Sequence, residues 1–197
     1  MALTKFDIAS SALVMIGANP VSSFSSSGST EEIACHHLYQ SCVDHWLSLY
    51  PWRFASRTRQ LSRRSPDPGT LWQAAYSVPE DFKAIQAVRT DRNGGDIEFD
   101  RFEDTIVCNA GVNQVVWCVH TCEPPTVWWP GYFVQLIEVA LAGKLAFVMS
   151  AKLDLKLDLE KTVDTYFRLA KNADSRQQTS RRFKLTGRRS IMEARRA

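Results

Sequence analysis

Apolar positions in the first third of the chain recur at spacings of three and four and stop where turn residues fall. Thr4 followed by Asp7 makes a capping pattern, Leu3 and Ile8 are placed to staple across it, and Gly17 and Pro20 close the run, which predicts a helix over about 4–17. Ser29 and Glu32 repeat the capping pattern. A stripe of Cys35, Leu38, Tyr39, Cys42, Trp46, Leu49 and Tyr50 then predicts a second, antiparallel helix over about 30–50. Residues 22–29 are a Ser/Gly-rich connector, and residues 62–69, with Arg63, Arg64, Pro66 and Pro68, read as a second exposed loop.

The period changes after Pro79. Short β-prone runs at 82–90, 97–99, 105–108 and 114–121, parted by Asn93-Gly94-Gly95 and Asn109-Ala110-Gly111, predict a small antiparallel sheet inserted over about 82–122. Pro124-Pro125 closes it. Pro130 opens a third helix over about 130–150, where the missing N–H costs nothing, with Phe133, Leu136, Ile137, Ala140, Leu141, Leu145 and Val148 on one wide apolar face. From Leu153 to Leu159 the chain alternates with period two, as a strand would. The longer pattern of Leu155, Leu159, Val163, Tyr166, Phe167 and Ala170 outweighs it and predicts a helix over about 155–172. The expected fold class is α+β: an antiparallel helical bundle with a small inserted antiparallel β-sheet in a body of residues 1–175, followed by an extended basic C-terminal arm, residues 176–197.

At 197 residues and 45% hydrophobic content the chain can bury one sizeable core. Six Trp and ten Phe exceed what a core of that size needs, which points some aromatics at partners. By this reading no apolar run approaches the length needed to span a bilayer, and Lys5 and Asp7 interrupt the apolar centre that a signal peptide requires. The net charge of +3 conceals a segregation: residues 176–197 carry eight basic residues against Glu193 alone, +7, which leaves 16 basic and 20 acidic residues, −4, in the body. Such a tail has a partner of its own.

Three groups could carry chemistry. Cys35, His36, His37, Cys42 and His45 offer metal-ligand types, but only Cys35, Cys42 and His45 share a helical face, two turns apart, whereas zinc takes a close pair from one element. Buried packing of the cysteines is the plainer reading, in a reducing compartment, since five is an odd count and Cys118 and Cys122 lie about 13 Å apart along a strand, beyond disulfide reach. Glu98, Asp100, Glu103 and Asp104 supply the paired acids of a glycosidase, with no phosphate loop, nucleophile elbow or Ser/His/Asp set beside them, so a solvated hairpin accounts for them. In the tail, Arg176, Arg181, Arg182, Lys184, Arg188, Arg189, Arg195 and Arg196 alternate with Phe183, Leu185, Ile191 and Met192. Arginines that fork onto carboxylates, beside apolar anchors, describe a docking arm better than a purely electrostatic nucleic-acid strip. Trp46, Tyr50, Pro51, Trp52 and Phe54 form an aromatic knot expected to lock the end of the second helix against the late helix.

The order of these elements resembles the tail tubular protein A family, the head-to-tail adaptor, or gatekeeper-ring, proteins of tailed, mainly short-tailed, phages. The likeness rests on the helix and turn of residues 3–24, on Ser29 with Glu32, on Pro51-Trp52-Arg53-Phe54-Ala55, on Val78-Pro79-Glu80-Asp81-Phe82 and on the late helix over 133–149. It covers about residues 1–170, and its motifs are packing and turn signals, so their order and spacing carry it. The basic tail has no counterpart in the pattern. The resemblance implies a non-enzymatic protein with no cofactor and no metal, assembled in the host cytoplasm into a ring of about twelve identical subunits at the head–tail junction of the virion. Its partners would be the portal protein, the tail nozzle or tail tube protein and genomic DNA passing through the channel, with no membrane. An acidic body lining a conduit repels DNA phosphates and lets the duplex slide. Two other classes remain open: a nucleic-acid-binding protein that uses the arginine-rich tail, and a cell-wall or polysaccharide hydrolase.

Overall fold

The computed structural model describes residues 3–65, 68, 71–91, 95–150 and 153–177. Within them the fold is a mixture of helix and antiparallel sheet. Helices α1 (Lys5–Met15) and α2 (Thr30–Ser48) come first, and strands β1 (Ser56–Gln60), β2 (Ala74–Ser77), β3 (Phe82–Arg89), β4 (Asp96–Ile97), β5 (Phe99–Phe102), β6 (Thr105–Cys108) and β7 (Trp117–Cys122) follow. Helices α3 (Gly131–Ser150) and α4 (Leu153–Ser175) end the described chain.

Local chemistry sets the helix ends. The Thr4 side chain accepts from Asp7 N at 3.2 Å while the Asp7 carboxylate accepts from Thr4 N at 2.8 Å, which satisfies two of the amides that a helix start leaves without partners. Ser29 and Glu32 make the same reciprocal pair at the start of α2. A Cβ at position 28 would meet the tip of the Glu32 side chain, which would have to shift from its bond to Ser29 N. At the other end of α1, Gly17 takes φ +76°. Ala18 N donates to Leu13 O and Gly17 N to Val14 O, both at 3.0 Å, the paired bonds of a Schellman termination. Pro130 sits at the start of α3, as predicted, one residue before its first helical residue, and its carbonyl receives the amides of Phe133 and Val134.

Helix α3 touches α1, α2 and α4. Its buried residues Phe133, Leu136, Ile137, Leu141 and Leu145 meet Ile8 and Leu13 of α1 and Cys35, Val43 and Leu47 of α2 in one core. Val148, expected on that face, is exposed, as is Leu49 of the α2 stripe. The segment that alternates from Leu153 is helical, as the longer period predicted.

The β region departs from expectation in two ways. Pairing begins at Ser56 and not near residue 82, and it makes two sheets and not one, ordered β1-β7-β3-β4 and β2-β6-β5. The segment read as an exposed loop after residue 61 is part of the reason. Arg64 N donates to Ala75 O at 2.7 Å and Ser77 N to Ser62 O at 3.1 Å, so the chain leaving β1 crosses to pair beside β2. A second crossing occurs at Glu98, between β4 and β5. The two sheets face each other across a separate core of Leu61, Ala74, Tyr76, Val88, Ile106, Cys108, Val116 and Cys118. Strand β1, whose residues Ser56, Arg57, Thr58, Arg59 and Gln60 are all exposed, lacks the alternation that marks a strand in sequence.

Candidate functional site

The predicted aromatic knot lies where α2 ends and α4 ends, packed on α3. Trp52 is completely buried and its indole N–H donates to Trp46 O at 2.7 Å, which satisfies the one polar atom that burial of a Trp strands. Its ring meets Tyr50 and Phe133 edge-on at 4.9 and 5.1 Å, and Phe54 lies 4.8 Å from Phe133. Trp46 turns to Phe167 of α4 at 5.1 Å. Pro51 is exposed and turns the chain.

The residue that joins this knot to α4 is one the sequence pattern did not single out. Asp174, in the last turn of α4, is completely buried. Its carboxylate accepts from the backbone N–H of Arg53 at 3.1 and 3.2 Å and from the Tyr132 hydroxyl at 2.8 Å. Burial, with the Asp174 carboxylate as the next contributor, pushes the Tyr132 phenol above its ordinary range, so it stays a donor. In sequence Asp174 stands in a polar run, Lys171-Asn172-Ala173-Asp174-Ser175, with no motif to mark it, and its partners are 121 and 42 residues away.

Arg176 follows directly and is exposed. It lines a groove between α3 and α4 that encloses about 320 Å³, with Tyr132, Tyr166, Leu169, Ala170 and Ala173 as its apolar wall. The rest of the predicted arm, Arg181, Arg182, Phe183, Lys184, Leu185, Arg188, Arg189, Ile191, Met192, Arg195 and Arg196, lies outside the described residues.

The two other chemical candidates take ordinary structural places. Cys35 and Cys42 are fully buried in the helical core, whereas His36, His37 and His45 are exposed, so the mixed set is split between interior and surface. Burial raises both thiols to about 11. Among the described residues no three His, Cys, Asp or Glu side chains converge as metal ligands. Of the four acids, Asp104, in the β5–β6 turn, is held by a forked pairing with Arg64 from the segment between β1 and β2, and hydrogen bonds from Arg64 and then Thr105 lower its carboxyl below the ordinary value. That environment is the opposite of what a catalytic general acid requires.

Two charged clusters were not anticipated. Lys83 of β3 lies 2.6 Å from Asp44 of α2 and 3.4 Å from Glu123, and Gln40 donates to both acids, tying helix to sheet. In the β region, Asp81 approaches Arg57, Arg59 and Nε2 of fully buried His120, the last at 3.3 Å. One apolar run is longer than expected: Gly131–Met149 is long and apolar enough, at a mean hydropathy of 1.6, to cross a membrane by length and composition, and 61% of it is buried within this fold, as a core helix would be. Among known proteins, no family model and no curated sequence matches the chain.

Proposed function

We propose that this chain is a structural, non-catalytic head-to-tail adaptor of a tailed phage. In this reading a bundle of four helices carries the small β region, about twelve copies form a ring between the portal and the tail nozzle or tube, and DNA passes through the channel. The protein is assembled in the host cytoplasm and resides at the head–tail junction of the virion. The observation that carries the reading is the Pro51-Trp52-Arg53-Phe54-Ala55 knot, whose buried Trp52 joins the end of α2 to α3 and α4 in the order that the family's packing motifs follow. Exposed large apolar residues, among them Trp128, Val127 and Met15, supply surface that a ring would cover. The basic arm, residues 176–197, binds the portal, its arginines forking onto carboxylates. Fully extended, its 22 residues reach about 70 Å at roughly 3.3 Å each, far enough to cross a neighbouring subunit.

Mass measurement of the free protein and of its mixture with a portal tests the proposal. A free monomer that forms rings on portals, and loses that ability when residues 178–197 are removed while its body stays folded, is the expected result. Truncated protein that loads onto portals at full affinity refutes the arm's role. Tight DNA binding that collapses with salt would replace the adaptor reading with the nucleic-acid one.

A further inference from the structure

The groove between α3 and α4 has a composition that argues against a small-molecule site. Tyr132, Tyr166, Leu169, Ala170 and Ala173 form its wall, and the polar groups Gln135, Asn172 and Arg176 complete the lining. Ligand pockets of this size hold a few convergent polar groups that fix orientation, and the neighbouring carboxylate of Asp174 is turned inward and used by Arg53 N and the Tyr132 hydroxyl. What remains is an apolar trough with Leu169 58% exposed. Such a surface seats an apolar side chain of a peptide.

The described chain ends at the rim of this trough. Arg176 N donates to Asn172 O and Gln177 N to Asp174 O, and these bonds turn the backbone at the end of α4 directly beside the lining residue Arg176. From Tyr166 to Arg176 the trough runs ten residues of helix, roughly 15 Å at about 1.5 Å per residue. Phe183 lies six residues beyond Gln177, a reach of roughly 20 Å at about 3.3 Å per residue. The first large apolar residues after the helix, Phe183 and Leu185, are therefore within reach of the whole trough.

We propose that residues 178–185 fold back into the α3–α4 groove of the same molecule, with Phe183 seated on Tyr132, Tyr166 and Leu169. The contact belongs to the free protein and stands apart from the adaptor reading, since it needs neither portal nor ring. If the arm does serve a portal, this is the state from which it is drawn.

Hydrogen–deuterium exchange of the full-length protein, at two concentrations at least twentyfold apart, tests it. The amides of residues 181–185 are expected to exchange at least about tenfold slower than coil rates at both concentrations. Leu169→Asp, at an exposed position, and Phe183→Ser, beyond the helix, should each return them to coil rates and leave the core amides of α3 unchanged. Coil-like exchange in the wild-type chain overturns the proposal, and so does protection that survives both substitutions. Protection that appears only at the higher concentration also overturns it, by assigning the groove to the arm of a second copy.

Discussion

Tyr132 on α3 donates its phenolic hydrogen to Asp174 on α4 at 2.8 Å, and the same carboxylate receives the Arg53 amide from the chain leaving α2. One buried acid thus ties together three segments that are far apart in sequence. It sits in the last turn of a helix, where the dipole disfavours negative charge, so these donors are what make its burial tolerable. Tyr132→Phe should cost about 1.5–3 kcal/mol, the range for a hydrogen bond to a charged partner. Urea denaturation reads it directly, and a change under about 0.5 kcal/mol would show that Tyr132 contributes only its ring.

Trp52 carries more. Its side chain is fully buried against Tyr50, Tyr132, Phe133 and Phe167, and truncation leaves a cavity at the junction of three helices. Trp52→Ala should lower stability by roughly 3–5 kcal/mol. A thermal melt that does not move on substitution contradicts a structural role for the knot.

Acid should weaken the ion pairs that hold the β region. Burial pushes the Asp81 carboxyl up, but attraction to His120 and Arg57 outweighs this and holds it below its ordinary 3.8; Arg64 does the same for Asp104. Because both folded-state values lie below the unfolded ones, their stabilisation is fully present above the unfolded carboxyl range and is lost as pH falls through the lowered values. In a titration from pH 6 to 2, Asp81→Asn should flatten the acid limb of the stability curve. An unchanged limb means that the Arg57–Asp81 contact contributes nothing.

The five thiols should be silent in the native protein. All five cysteines are buried and unpaired, and burial raises Cys35 and Cys42 to about 11 and Cys118 to about 12, with Cys108 and Cys122 shifted the same way. At pH 8 almost none is thiolate, the reactive form. An aromatic disulfide reagent should label no thiol until denaturant is added, then label five. Fast native labelling of even one would reveal an opening that the packed core does not contain.

How much of this was legible in the chain depends on the range of the interaction involved. Both capping boxes, the Gly17 termination, the apolar faces of α2 and α3 and the helical reading past Leu153 follow from neighbours within a few residues, so the sequence by itself determined them. The strands that carry alternation or β-branched runs, β3 and β6, were visible for the same reason. Strand β1 was not, since its five residues are all exposed and its stability comes from pairing with β7, some sixty residues away. The split into two sheets was equally hidden: it arises where Ser62 and Arg64 pair with Ser77 and Ala75, a crossing with no local signature. The aromatic knot shows both halves of the matter. Its residues stand out as a cluster in the sequence, but only the tertiary structure selected Tyr132, Phe133 and Phe167 as their partners and turned Asp174 inward to bind a backbone amide. A polar residue in a polar run looks like surface until the folded chain brings it two donors and excludes the water that would compete for them.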